Sequence, residues 1–210
     1  EGGQQVTLVS DASWKTSRGP VVSDSIYNGE VYDARLELPG WDRPGFDASA
    51  WSAAKVMEGS KGILSAQMMP PIRVVDSMVP VSLSNPQPGV YVYDLGQNFS
   101  GWAKLRVNGP AGAAVQMRFS ELLYPSGMIN RETIRDAKSR DIYILRGSGT
   151  EVYEQRFTYH GFRYVEVTGL PGAPHLDSLR GKVVHTAVEP TGSFVASNPL
   201  LNQIQKIIRW

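Results

Sequence analysis

The chain has 210 residues, room for one large domain or two small ones. Its 21 basic and 20 acidic residues leave a formal charge of +1, which removes any electrostatic drive toward nucleic acid or a membrane surface. With no cysteine it has no disulfide, thiolate nucleophile or Cys-ligated metal centre, while 41% hydrophobic residues, 5 Trp and 9 Tyr supply the material for a packed core.

Taken in chain order, Val6-Thr-Leu-Val9 reads as a strand, and Asp11 to Lys15 as a turn anchored by Trp14. Asn28-Gly29 predicts a hairpin within Ser23–Leu38, because both residues tolerate positive φ. The Pro-, Gly- and Asp-rich run from Pro39 to Trp51 is a loop, in which Asp47 can cap one short helical turn. Ile72–Asp76 reads as a strand. Asn85-Pro-Gln-Pro-Gly89 is the most linker-like stretch and is placed at a domain boundary.

Short strands at regular spacing follow: Val90–Leu95, Ala103–Val107, Val115–Phe119, Ile142–Leu145, Glu154–Thr158, Arg163–Val167 and Lys182–His185. Alternation is clear where Ala103, Leu105 and Val107 interleave with Lys104 and Arg106, and where Val115, Met117 and Phe119 interleave with Gln116 and Arg118. Glu151–Val167 reads as a hairpin of two aromatic-rich runs around His160-Gly161, and Asn130–Arg140 as a loop or short helix. Period-two patterning with 21 Gly and 14 Pro at the turns predicts a mainly β fold, an antiparallel β-sandwich or jelly roll. At the end the period changes. Asn198-Pro199 starts a helix with Leu200, Ile204, Ile207 and Ile208 on one stripe, which must pack on the sandwich, self-associate or fray.

Several segments, in this order, resemble the bacterial α-L-rhamnosidases: Gly29-Glu-Val-Tyr-Asp-Ala-Arg35, Pro39-Gly-Trp-Asp-Arg-Pro-Gly-Phe-Asp47, Tyr93-Asp-Leu-Gly-Gln-Asn-Phe-Ser-Gly-Trp102, Phe157-Thr-Tyr-His-Gly-Phe-Arg-Tyr164 and Phe194-Val-Ala-Ser-Asn-Pro-Leu-Leu-Asn202. The resemblance implies three parts. Residues 1–85 would be the later part of a jelly-roll domain, 86–190 a concanavalin-like β-sandwich, and 191–210 the start of a catalytic (α/α) barrel. It implies a parent enzyme that hydrolyses terminal α-L-rhamnosides with inversion. Its partners would be a rhamnose-containing glycan and its own barrel, and its jelly roll, in some members, would bind rhamnose through calcium. The chain begins on Glu1 and ends on Trp210 within a helical pattern, so both ends are expected to be cuts in a longer protein. The piece itself is expected to be catalytically silent and to require no cofactor, acting as a scaffold and a carbohydrate-binding region. The compartment is left open, exported or cytoplasmic.

The site candidates are weighed against plainer readings. Inverting hydrolysis needs an acid and a carboxylate roughly 6.5–9.5 Å apart, and no spacing here predicts such a pair. On a strand, Asp33 and Arg35 share a face. They can hold vicinal sugar hydroxyls, or form a salt bridge within the sheet, the preferred reading. Trp41 with Asp42, and Trp51, can stack on a sugar and bind its hydroxyls, or simply anchor a long loop. Asp42 and Asp47 are candidate calcium ligands, although the spacing is not that of an EF-hand. Gln97 and Asn98 can reach toward an active site, or sit in a tight turn. His160, His175 and His185 show no metal-ligand spacing and no evident Ser partner, and His160 is taken as a turn residue. The alternatives are a free-standing calcium-dependent rhamnose-binding module and a structural domain that homodimerises through the terminal stripe.

Overall fold

A computed structural model describes residue 3 and residues 5–210. Glu1, Gly2 and Gln4 of the expected first part lie outside the described residues. The strands are β1 (Lys15–Thr16), β2 (Val21–Ser25), β3 (Gly29–Asp33), β4 (Ser52–Ala53), β5 (Ile72–Met78), β6 (Ser82–Gln87), β7 (Val90–Asn108), β8 (Ala114–Ser120), β9 (Leu122–Leu123), β10 (Ile129–Asn130), β11 (Arg140–Ile144), β12 (Thr150–Tyr153), β13 (His160–Thr168) and β14 (Leu179–Thr186). Among the described residues a single α-helix, α1 (Pro199–Ile208), follows them.

Ten strands form one curled sheet in the order β2-β3-β11-β8-β13-β7-β14-β5, with β12 and β6 also paired to β7. All pairs are antiparallel except β11 with β3. The organiser is β7, whose 19 residues bear β13 and then β12 along one edge and β6 and then β14 along the other. Its far half alternates as expected, with Ala103, Leu105 and Val107 buried and Arg106 exposed. β11 and β12 are not neighbours in the sheet, yet the rings of Tyr143 and Tyr153 stack 4.8 Å apart and Tyr32 packs 5.7 Å from Tyr153. The sheet therefore folds over a single core, in which Tyr93, Phe119, Phe162, Leu95, Leu105 and Met117 are fully buried. Each such side chain contributes about 1.5–3 kcal/mol of transfer free energy.

Several sequence expectations change. Residues 6–9 form no strand and are exposed, because no neighbouring strand offers them a ladder. Val90–Leu95 and Ala103–Val107 belong to one strand, whose pairing with β13 breaks over Leu95–Asn98 and resumes at Phe99, with Gly96 and Gly101 at positive φ. Asn85–Gly89 is not a linker: β6 runs through Gln87, which pairs with Val90 across a turn at Pro88-Gly89. The strand expected at Glu154–Thr158 ends at Tyr153. Glu151–Val167 is no hairpin, because its two strands pair end to end along β7 instead of with each other. Trp14 makes its turn, Nε1 donating to the Val9 carbonyl at 3.2 Å, but the ring is half exposed and anchors no core. The helix stands as read. The Asn198 side chain accepts from the Leu200 amide at 3.0 Å, Pro199 takes the first turn, and the apolar stripe is open to solvent.

Candidate functional site

The loop after β3 builds a groove of about 860 Å³ whose walls include Trp41, Asp42, Trp51, Glu37, Arg146 and Arg156. β1 pairs with β4 and Lys15 Nζ donates to the Ala48 carbonyl at 3.0 Å, which ties the loop's return to the segment ahead of β2. Asp47 accepts from the Ser49 amide at 2.9 Å, making a capped turn without a full helix, and Phe46 meets Trp51 edge-on at 5.6 Å. Trp51 is thereby held by its neighbours, whereas Trp41 is 62% exposed at the groove wall. Glu37 accepts from the Tyr32 hydroxyl at 2.9 Å and from Arg146 at 2.8 Å, and these contacts fix it. That Glu37 contact and burial together push the Tyr32 hydroxyl up to about 12, burial being the larger cause. An indole face beside fixed polar groups is a chemistry suited to a sugar ring, apolar on one face and hydroxylated at its rim.

Asp33 and Arg35 do meet, though not by sharing a strand face. Asp33 ends β3 and caps a 3-10 turn over Ala34–Leu36, accepting from the Arg35 amide at 3.1 Å. The Arg35 guanidinium returns to it at 2.9 and 2.7 Å and holds the carboxyl below its ordinary range. The pair is satisfied within three residues and does not line the groove with Trp41 and Asp42. Gln97 and Asn98 lie in β7 where four residues, Leu95 to Asn98, stand opposite the single residue Arg163. Gln97 donates to the Asn98 carbonyl and Asn98 to Glu121, each at 2.9 Å.

His160 is not a turn residue. It lies in β13, is 4% exposed, and has the serine partner that the sequence did not suggest. Its Nε2 donates to Asp141 at 3.1 Å, Ser139 Oγ lies 3.3 Å from Nδ1, and Phe119 stacks on the ring at 4.2 Å. All three polar residues are buried, so no substrate reaches the hydroxyl and the set is structural. Asp141 also accepts from the Glu30 amide at 3.0 Å. Glu30 in turn accepts from the Tyr153 hydroxyl at 2.9 Å and the Arg156 amide at 3.0 Å. This polar core joins residues 19 to 126 positions apart, a separation that local patterning does not reveal. His175 and His185 sit elsewhere, the first at the start of a 3-10 turn and the second bonded to the Thr186 carbonyl.

Residues 84–185 match the bacterial α-L-rhamnosidase concanavalin-like domain, and residues 1–76 the α-L-rhamnosidase N-terminal domain. The chain belongs to the α-L-rhamnosidase family. An α-L-rhamnosidase of Streptomyces avermitilis is 43% identical over 209 residues, 99% of this chain and 20% of that protein. The solved α-L-rhamnosidase of Dictyoglumus thermophilum superposes with a TM-score of 0.94 at 48% identity, covering 97% of this chain and 23% of that one. That of Aspergillus terreus gives 0.92 at 38% identity, with 99% and 24% covered. The chain thus spans about a fifth of the length of the curated relatives it matches. It corresponds to the N-terminal, non-catalytic region of α-L-rhamnosidases.

In this α-L-rhamnosidase region the two candidate calcium ligands differ in place, Asp42 lining the groove and Asp47 not. Asp47 is engaged with Ser49, and among the described residues no three Asp, Glu or His side chains gather as a cation site. The groove members Glu37, Arg146 and Arg156 were not singled out from sequence. Their only local signal is that each follows a strand end, and the fold alone brings them beside Trp41.

Proposed function

We propose that the parent protein hydrolyses terminal α-L-rhamnosides, and that this chain serves it as a scaffold and a glycan-contacting surface. The observation that carries the glycan contact is the groove in which Trp41 and Asp42 stand beside the fixed Glu37 and Arg146. Trp41 supplies the stacking face, and Asp42 accepts from the ring hydroxyls. Asp33 and Arg35 support the loop's start without reaching the ligand. Gln97 and Asn98, raised on the β7 bulge, face the parent's active site. The exposed stripe of α1 is the joint to the parent's helical barrel.

The test is calorimetric titration of the chain with L-rhamnose, once with calcium and once with chelator. Saturable heat that Trp41→Ala abolishes is expected; heat in both buffers makes the contact independent of calcium, and heat with calcium alone brings a bound cation into it. Absence of heat in both would remove the glycan-contact role and leave the scaffold.

A second reading has its own observation. Leu200, Ile204, Ile207 and Ile208 are all open to solvent, and such a stripe also suits a homodimer. A mass that rises with concentration and returns to the monomer in Ile204→Lys would favour it.

A further inference from the structure

Cationic side chains outnumber carboxylates in the groove beside Trp41. Four cationic side chains, Lys15, Arg18, Arg146 and Arg156, line it against two carboxylates, Glu37 and Asp42. Arg146 is paired with Glu37 at 2.8 Å and Lys15 is bound to the Ala48 carbonyl. Among the described residues, the guanidiniums of Arg18 and Arg156 have no hydrogen-bond or ion-pair partner, and only their backbone groups are engaged. A whole chain of charge +1 has no general need for this excess, so its placement is a local property of the groove.

Arg156 has the more informative position. Its amide is bound to the buried Glu30 carboxylate at 3.0 Å, which fixes the backbone while the side chain turns outward. A second cleft of about 590 Å³, walled by Trp102 and Phe157, shares Tyr32, Glu37 and Arg156 with the first. Trp102 is held by Glu154, its Nε1 donating at 3.1 Å, while Phe157 is 64% exposed. One unpaired guanidinium thus stands at the junction of two clefts, with aromatic side chains in both.

We propose that this double cleft binds an anionic oligosaccharide. A sugar bearing a carboxylate or sulfate ester sits on Arg156, and its neighbours lie against Trp41 on one side and Phe157 on the other. Guanidinium presents a planar fork that matches either oxyanion, and the aromatic rings are indifferent to charge. The proposal rests on the reading that the groove contacts glycan, and adds the charge of that glycan.

The test uses the 210-residue chain and three probes. They are a short oligosaccharide of alternating L-rhamnose and hexuronic acid, its carboxyl methyl ester, and a rhamnose sulfate ester. At about 0.05 M salt the acid binds about tenfold more tightly than its ester, the difference expected from one charge-assisted contact, and the gap narrows at about 0.5 M. Arg156→Gln removes most of the gap, weakening the acid far more than the methyl ester. The variant keeps the backbone amide that Glu30 holds, and its circular dichroism should match the parent's. The sulfate probe decides the source of the anion, since tighter binding than the acid assigns the site to sulfated sugars. Equal affinity for acid and methyl ester, or a gap that survives Arg156→Gln, overturns the anionic reading alone. No binding of any probe overturns it together with the glycan-contact reading.

Discussion

Asp94 of β7 and Arg163 of β13 meet in a two-point ion pair, 2.8 Å on each arm, at the place where the two strands lose register. Asp94 also accepts from the Gly96 amide at 2.6 Å, so one carboxylate holds both the bulged segment and the residue opposite it. The Arg163 contact comes first among the causes that keep its carboxyl below the ordinary 3.8, with burial opposing. Because the folded value is depressed, the pair's stabilisation is present above about 3.8 and is lost as pH falls through the folded value. Arg163→Ala is expected to cost about 1–2 kcal/mol at neutral pH and less in acid. Denaturant melts at pH 7 and pH 3 check this, and an equal loss at both would refute it.

Glu30 is predicted to act in the opposite direction. It is fully buried, and burial raises its carboxyl above the ordinary 4.5 against the hydrogen bonds from Arg156 and Tyr153. The folded state therefore binds a proton more readily than the unfolded chain, and stability declines as pH rises above about 4.5. Glu30→Gln removes that decline. With the Gln oxygen kept on the Arg156 amide, its NH2 faces the Tyr153 hydroxyl, which must turn to accept, at a cost of up to about 1 kcal/mol. Melting curves from pH 4 to pH 8 should be steeper for the parent chain than for the variant.

The outlines of these features were legible to different degrees. Strand faces such as Val115, Met117 and Phe119 could be read directly, because alternation is a local property and all three are buried. The capped start of α1 was equally local. The hairpin read at His160-Gly161 failed because aromatic residues on both flanks suit any buried strand, and a long β7 offered one edge to both runs. For the site, Trp41 and Asp42 were visible as a loop motif, whereas Arg156 reaches the groove only because Glu30, 126 positions away, holds its backbone. The Asp33–Arg35 pair was anticipated in kind, but a cap replaced the strand geometry.

Glu166 is predicted to be the most sensitive charge in the sheet. It is fully buried and pairs across the strands with Arg118, which in turn pairs with Arg140. Arg118 donates to its Oε1 at 2.7 Å through Nε. Burial first, and then the nearby Arg118, lower the guanidinium of Arg131. One carboxylate thus pairs with Arg118 and also acts on Arg131. Glu166→Ala is expected to cost about 3–5 kcal/mol, because it leaves those cations without a counter-charge. Replacing Glu166 and Arg118 together by leucine should cost less than the single change, as a double-mutant cycle by urea unfolding would show.

Two glycines separate strand from turn at the points where the sequence suggested turns at both. Gly29 has φ +85, and a Cβ there would lie 2.0 Å from the Arg140 carbonyl oxygen, backbone that cannot yield without disturbing the pairing of β3 with β11. Gly29→Ala is therefore expected to cost roughly 2 kcal/mol or more. Gly161 lies within β13, and a Cβ added to it meets nothing within 4 Å. Gly161→Ala should be neutral or stabilising by up to about 1 kcal/mol, since it reduces the freedom of the unfolded chain without strain in the folded one. Thermal melts of both variants test the fold directly. If Gly161→Ala were the more damaging, His160-Gly161 would have to be a turn after all, and the end-to-end pairing of β12 and β13 along β7 would be wrong.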